Sequence, residues 1–354
     1  MIDTMTIKLN LNLWSYNHLF EQVNSVLMTH GHGKLYKDKN KSKRYLTTKF
    51  SSIGFWELAF HKGKFKQYLE IKLQPARLLA MNECADLCRA EDYLFVESAF
   101  NQFWNNVLDF RTSEYMKLEN WKVSRIDYAF QFQTSYLKTY LDLLHRGQLA
   151  YYLTQREYDT SFYATGNAVN INFYDKHAQL KNKSYLNDTD IANLENLLRF
   201  EVQCKSDYLH KLKKKFSLSS MTVKNFWDVD IARHVLSYRI KMLVGKDDFY
   251  RLDVAQRILR ERMRKNSFIL NSIIKFINQT SNLRLAKEIF YQNYHWVSRG
   301  KWDKLLWKLR QFRINPITFS DTAEDSPTVL KNPCSLLAED FQRSHFKPRA
   351  SLTR

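Results

Sequence analysis

The stretch DTSFYATGNAVNINFYDKHAQL, residues 159–180, sets Tyr163 and Tyr174 on either side of a Gly-Asn turn, with Asn170 and Asn172 between them. A phenol becomes a nucleophile when its proton is removed, and amides orient phosphate oxygens or bases. A face of Asn and Tyr differs from the Lys, Glu and Thr of an ordinary solvated strand, and fits a surface that handles a polar ligand. Three more segments carry groups of the same kind. SRIDYAFQF supplies Arg125 and Asp127, LLRFEVQCK supplies Arg199 and Glu201, and QYLEIKL supplies Glu70. Two or three carboxylates gathered on one face of a basic protein suit a hard divalent cation. Such an ion polarises a phosphodiester for attack by a tyrosine. The plainer alternative is a solvated sheet face with cross-strand ion pairs such as Arg125–Glu201.

Side chains alternate across a strand, so each of these segments divides into two faces. Ile126, Tyr128, Phe130 and Phe132 oppose Arg125, Asp127 and Gln131; Leu198, Phe200, Val202 and Cys204 oppose Arg199, Glu201 and Gln203; Leu69, Ile71 and Leu73 oppose Tyr68, Glu70 and Lys72. With Gly166-Asn167 as a two-residue turn, Thr165 pairs with Ala168 and Tyr163 lies opposite Asn170. Both tyrosines then share the polar face. The expected fold class is α+β: an antiparallel sheet with helices on its apolar face and a polar active-site face, followed by an α-helical C-terminal domain.

Residues 1–205 read as strands with a few helices and form the expected α+β domain. Helical spacing is expected over 15–28, 75–90, 91–110 and 135–148, and a hairpin turns at His61-Lys62-Gly63-Lys64. From 206 the period becomes 3.6, with five helical segments up to about 312, so 206–319 is expected to be a helical DNA-binding or accessory domain. Residues 320–354, with Pro327, Pro333 and Pro348 and no periodicity, read as a loose basic tail.

The chain of 354 residues holds 44% hydrophobic and 15% aromatic residues with only 8 Gly and 5 Pro, which excludes disordered and collagen-like classes. It has no apolar run of membrane-spanning length and no signal-peptide layout at its start, so a soluble cytoplasmic protein is expected. Cys84 and Cys88, four apart on an expected helix, lack the second pair of a zinc site. The formal net charge is +19, clustered at 34–45, 210–216 and 257–265. Nucleic acid is the polyanion such clusters fit, and Lys211, Lys213, Lys214 and Lys215 are expected to contact backbone phosphates.

SRIDYAFQF, SFYATGNAVNINFYDK and LLRFEVQCK, in that order, together with MIDTMTIKL, YLEIKLQPARLL and FRINPITF, resemble the phage and plasmid replication proteins typified by the gene II initiators of filamentous phages. The resemblance covers about residues 1–319. It implies rolling-circle initiation: origin binding, nicking of one strand through a phosphotyrosine intermediate, and later rejoining. It implies DNA as partner, single-stranded at the nick, with a host helicase and polymerase and a possible homodimer. It implies Tyr163, in the first hairpin strand, as nucleophile, with Tyr174 of the Phe-Tyr-x-Lys element as second candidate. Lys176 of that element meets the scissile phosphate or is a solvated turn lysine. Arg125 joins the catalytic set, and Asn170 and Asn172 face the DNA. Asp127 and Glu201, with Glu70 third, are the expected ligands of a divalent metal, Mg2+ or Mn2+. Many tyrosine nickases carry His-hydrophobic-His; here the close pair is His30 and His32 with Gly between, a departure from that pattern, and His61 and His177 are further ligand candidates. The alternative function is a non-catalytic protein that binds single-stranded nucleic acid on the same sheet.

Overall fold

In the computed structural model the alternating segments pair into one antiparallel sheet, and the structure describes residues 1–38, 43–81, 86–108, 110–181, 194–263, 267–280, 282–298, 300–320 and 327–344. The strands are β1 (Ile2–Leu11), β2 (Tyr36–Lys37), β3 (Arg44–Thr47), β4 (Phe55–Lys62), β5 (Gln67–Leu73), β6 (Lys122–Gln133), β7 (Thr154–Tyr158), β8 (Ser161–Thr165), β9 (Val169–Asp175) and β10 (Leu197–Lys205). Their order is β2-β3-β4-β5-β1-β6-β10-β9-β8-β7. The central strands β1, β6 and β10 come from distant parts of the chain, so the sheet closes its middle with long-range pairings. A small second sheet pairs β11 (Phe249–Tyr250) with β12 (Val329–Leu330).

The apolar face follows the alternation. Ile126, Tyr128, Val202 and Cys204 are buried in one hydrophobic cluster with Phe60, Leu69 and Ile71. Helices cover it. In α1 (Leu13–Thr29), Asn12 caps the first turn by accepting from the Ser15 N–H, and Tyr16, Leu19, Val23 and Leu27 form the buried stripe. The Tyr16 ring meets Phe60 edge-on at 5.6 Å. Next come α2 (Pro75–Leu78), α3 (Tyr93–Val107), α4 (Phe110–Tyr115), α5 (Leu137–His145) and α6 (Lys176–Leu180). After β10 follow α7 (Ser206–Lys215), α8 (Val223–Phe226) and α9 (Val229–Val244). Leu209 and Leu212 of α7 and Val235 and Leu236 of α9 lie in the same cluster as the sheet, and Tyr128 donates its hydroxyl to the Phe226 carbonyl at 2.7 Å. Fully burying a side chain such as Phe173 or Phe200, whose rings stack at 4.2 Å, contributes roughly 1.5–3 kcal/mol. The remaining helices are α10 (Leu252–Arg262), α11 (Ser267–Gln279), α12 (Leu283–Asn293), α13 (Lys301–Gln311) and α14 (Pro333–Ser344). The fold is α+β as expected, with the helical region last. The change of period at 206 is a change of element type within one continuous core.

Three expectations are corrected, and one strand is added. The β8–β9 hairpin pairs Thr165 with Asn170 and Tyr163 with Asn172, because its loop is longer than a two-residue turn. The shift is two residues, so each side chain keeps its face. The helix expected over 75–90 is the single turn α2; Ala80 follows at φ 52°, and Cys88 bridges Ile2 in extended form. Cys84, expected beside it, lies outside the described residues. The strand β7 was not anticipated. The tail is ordered over 327–344, where α14 packs against α9; its basic end with Pro348 lies outside the described residues, as do parts of the basic clusters at 34–45 and 257–265.

Candidate active site

The register sets the polar residues of β6, β10, β9 and β8 in rows across the sheet. One row runs Asp127, Gln203, Asn170, Thr165; the next runs Ala129, Glu201, Asn172, Tyr163; the third runs Gln131, Arg199, Tyr174, Ser161. This face is not solvated. Arg199 is 0%, Asp127 1% and Glu201 5% exposed, which excludes the reading of an ordinary wet sheet face. Part of the cover comes from α6, whose Leu180 packs with Leu194 and with Leu197 on the polar side of β10. Asp175 caps α6 by accepting from the Ala178 N–H at 3.2 Å.

Buried polar groups need partners, and here they form a network across strands. Asn170 donates to Gln203 at 2.9 Å, Gln203 donates to Glu201 Oε1 at 2.8 Å, and the Tyr174 hydroxyl donates to Glu201 Oε2 at 3.1 Å. Arg125 grips both oxygens of Asp127 at 2.8 and 2.6 Å, and Thr4 donates its hydroxyl to Asp127 Oδ2 at 2.5 Å. Arg199 donates to Asp3 at 2.8 Å and to Gln131. The Arg125–Glu201 pair of the plainer alternative is not formed: Arg125 pairs with Asp127, and Glu201 accepts from the neutral donors Tyr174 and Gln203.

A cavity of about 270 Å3 opens over these rows. Its lining includes Tyr163, Asn172, Tyr174, Lys176 and Glu201 on one side, Asp3, Thr4, Arg125 and Asp127 at the centre, and Trp56, Lys72, Gln74 and Arg77 on the other. Burial, reinforced by the charges of Asp3 and Asp127, pushes the Glu201 carboxyl up to about 7. Burial also pushes Asp127 up, against the pull of the Arg125 fork and the Thr4 hydroxyl. Burial and the charge of Glu201 push the Tyr174 phenol well above its ordinary value. Tyr174 is 3% exposed, whereas Tyr163 is half-buried and borders the cavity. Lys176 opens α6, is 7% exposed, sits over the Tyr174 ring at 5.6 Å and donates to Gln179 at 3.0 Å. It is a pocket residue and not a solvated turn lysine.

Other expected residues lie elsewhere. Glu70 does not join the pocket. It contacts Lys8 at 3.1 Å, His61 at 3.5 Å and Arg44 at 3.9 Å. Burial works to raise its carboxyl, but hydrogen bonds from His61 and Lys8 and the charge of Lys8 hold it down at about 2. His61 stacks on Tyr68 at 4.3 Å, and His30 and His32, past the end of α1, have ring centroids 6.2 Å apart. His177 is half-buried on α6, next to Lys176 but not in the pocket lining. Lys211, Lys213, Lys214 and Lys215 ride on α7, whose Leu209 and Leu212 pack into the apolar core, so they lie outside the cavity lining; Lys211 and Lys214 are exposed, Lys213 is half-buried, and Lys215 meets His234 of α9 at 2.8 Å. Asp3, Thr4, Trp56, Lys72, Gln74, Arg77 and Gln203 were not among the expected site residues.

Among the described residues no three His, Cys, Asp or Glu side chains close into a ready ligand set. The donor chemistry still fits a hard cation. Asp3, Asp127 and Glu201 repel one another around one cavity; Arg199 pairs with Asp3 and offsets part of the Glu201 charge, and Arg125 pairs with Asp127, so the three carboxylates are the oxygen donors a hard cation would draw on there.

No curated protein matches the chain. The family described as the N-terminal part of the phage replication-associated gene II protein matches residues 1–230, which spans the whole ten-stranded sheet, the cavity, and α7 and α8 behind them. The polar-face cavity of this sheet thus belongs to a chain that is a member of the phage replication-associated gene II protein family of rolling-circle replication initiators.

Proposed function

We propose that the cavity nicks and rejoins one DNA strand, with Tyr163 as nucleophile. The observation that carries the reading is the meeting, in one cavity of a replication-initiator family member, of an accessible tyrosine with Arg125, Lys176 and three carboxylates. Tyr163 Oη attacks the scissile phosphorus and gives up its proton to solvent. The bond from phosphorus to O3′ breaks, O3′ takes the electron pair and a proton, and the new 3′-OH primes synthesis. The 5′ phosphate stays on the tyrosine as an ester, so attack by a 3′-OH rejoins the ends without ATP.

Arg125 and Lys176 bind the non-bridging oxygens and offset charge that grows there in the transition state. Tyr174, buried and donating to Glu201, is a positioning residue that orients the carboxylate. Asn172 lies directly opposite Tyr163 and steers its ring or the adjacent phosphate. Asp3, Asp127 and Glu201 would hold Mg2+ or Mn2+, which when bound supplies positive charge at the phosphate and acidifies the attacking phenol.

The test is incubation with single-stranded origin DNA labelled at its 3′ end, with a divalent cation. Label that stays on the protein through a denaturing gel, and is absent with chelator, supports the reading. Tight binding with no label on the protein under any cation would favour a non-catalytic single-strand-binding protein.

A further inference from the structure

Trp56 stands out on the rim of this cavity. Strand β4 pairs Phe55 with Leu73 and Glu57 with Lys72, so Trp56 is the extra residue of a β-bulge. A bulge re-aims a side chain, and this one turns an indole into the cavity. The ring is half-buried yet is not part of the hydrophobic cluster and does not pack against it, so core packing does not account for it. The Lys72 ammonium sits 4.9 Å from the ring centroid, and both side chains line the cavity with Arg77 beside them. A large aromatic surface next to cations, facing a polar cleft, has the chemistry of a nucleobase platform: the ring stacks a base and the ammonium meets the neighbouring phosphate.

We infer that Trp56, backed by Lys72, stacks one base of single-stranded DNA on the bank of the cavity across from Tyr163 and so fixes which phosphate reaches Tyr163. This rests on the reading of the cavity as a DNA-nicking site and adds a residue that positions the strand. The step is non-covalent; no bond changes at Trp56.

The experiment is a mutant cycle on the full chain in chelator, so that no cleavage intervenes. Affinities for a fluorescent single-stranded origin oligonucleotide are measured by anisotropy, for wild type and Trp56→Ala, with a single abasic site moved along the oligonucleotide. Trp56→Ala is expected to weaken binding by about 5- to 150-fold, and Trp56→Phe by less. At one position the abasic penalty seen in wild type should disappear in Trp56→Ala, because the base and the ring are one interaction. Additive penalties at every position overturn the platform. If they are additive while wild type still forms the covalent adduct, the platform alone fails. If the cycle is non-additive but no adduct forms with any cation, the nicking reading fails and the platform stands.

Discussion

At Glu201, burial and the charges of Asp3 and Asp127 act in the same direction and hold the carboxyl at about 7, above the ordinary value of 4.5. The folded state therefore binds this proton more tightly than the unfolded chain does. Its contribution to stability is fully present below pH 4.5 and is lost as pH rises to about 7. Glu201→Gln removes the titration. In chelator, denaturant melts should show the variant gaining about 1–3 kcal/mol on wild type between pH 4.5 and pH 8. Parallel pH profiles for the two proteins would contradict this. Arg125, Asp127 and Glu201 were legible because simple alternation put them on one face. Asp3 and Trp56 were not, because bulges between Ile2 and Thr4 and between Phe55 and Glu57 break the period there. Glu70 shares the polar face, but its partners His61 and Arg44 come from the adjacent strand β4 and the next one, β3, whose pairing no local pattern reveals.

At the scale of elements, the bank of the cavity formed by Gln74 and Arg77 depends on a close approach of backbones. Gly54 has φ +97°, and a Cβ there would lie 2.8 Å from Leu78 N and 2.9 Å from Gln74 O. Neither atom can yield without moving α2. Gly54→Ala should cost at least about 2 kcal/mol in a denaturant melt, since strain and clash add. It should also weaken oligonucleotide binding by displacing Arg77. Wild-type stability in that variant would refute the account of this bank. Element existence was mostly readable: β10 spans 197–205 as expected, and the five later helices follow their 3.6-residue stripes. The misses have local causes. Pro333 opens α14, where a proline is tolerated, and Asn332 caps it by accepting from the Cys334 N–H at 2.8 Å, so the proline marked a start and not a loose tail. Strand β7, TQREY, is a polar edge strand with no apolar alternation to read.

At the scale of the molecule, with a formal net charge of +19, basic side chains lie on both sides of the sheet. Arg125, Lys72, Arg77 and Lys176 line the cavity beside Asp3, Asp127 and Glu201, whereas the lysines of α7 lie on the other side of the sheet. On the function proposed above, the back would meet duplex phosphates and the cavity a single strand. Lys213→Ala, Lys214→Ala and Lys215→Ala together should flatten the slope of log affinity against log salt for duplex DNA by roughly one to three units, for origin and random sequence alike. Affinity for a short single-stranded oligonucleotide should stay as in wild type. An unchanged duplex slope would move the duplex track to other basic segments, such as α10.

The central claim is that Tyr163 carries the DNA. The most direct measurement is to trap the adduct on single-stranded origin DNA with a divalent cation, digest the protein, and locate the nucleotide by fragment-ion mass. Trypsin leaves Tyr158, Tyr163 and Tyr174 on one peptide, 157–176, so the fragment ions must assign the residue. The account predicts a nucleotide 5′ phosphate on Tyr163, with none on Tyr174 and no adduct in Tyr163→Phe. A nucleotide on Tyr174, on Tyr158 or outside this peptide, or an undiminished adduct in Tyr163→Phe, would contradict it.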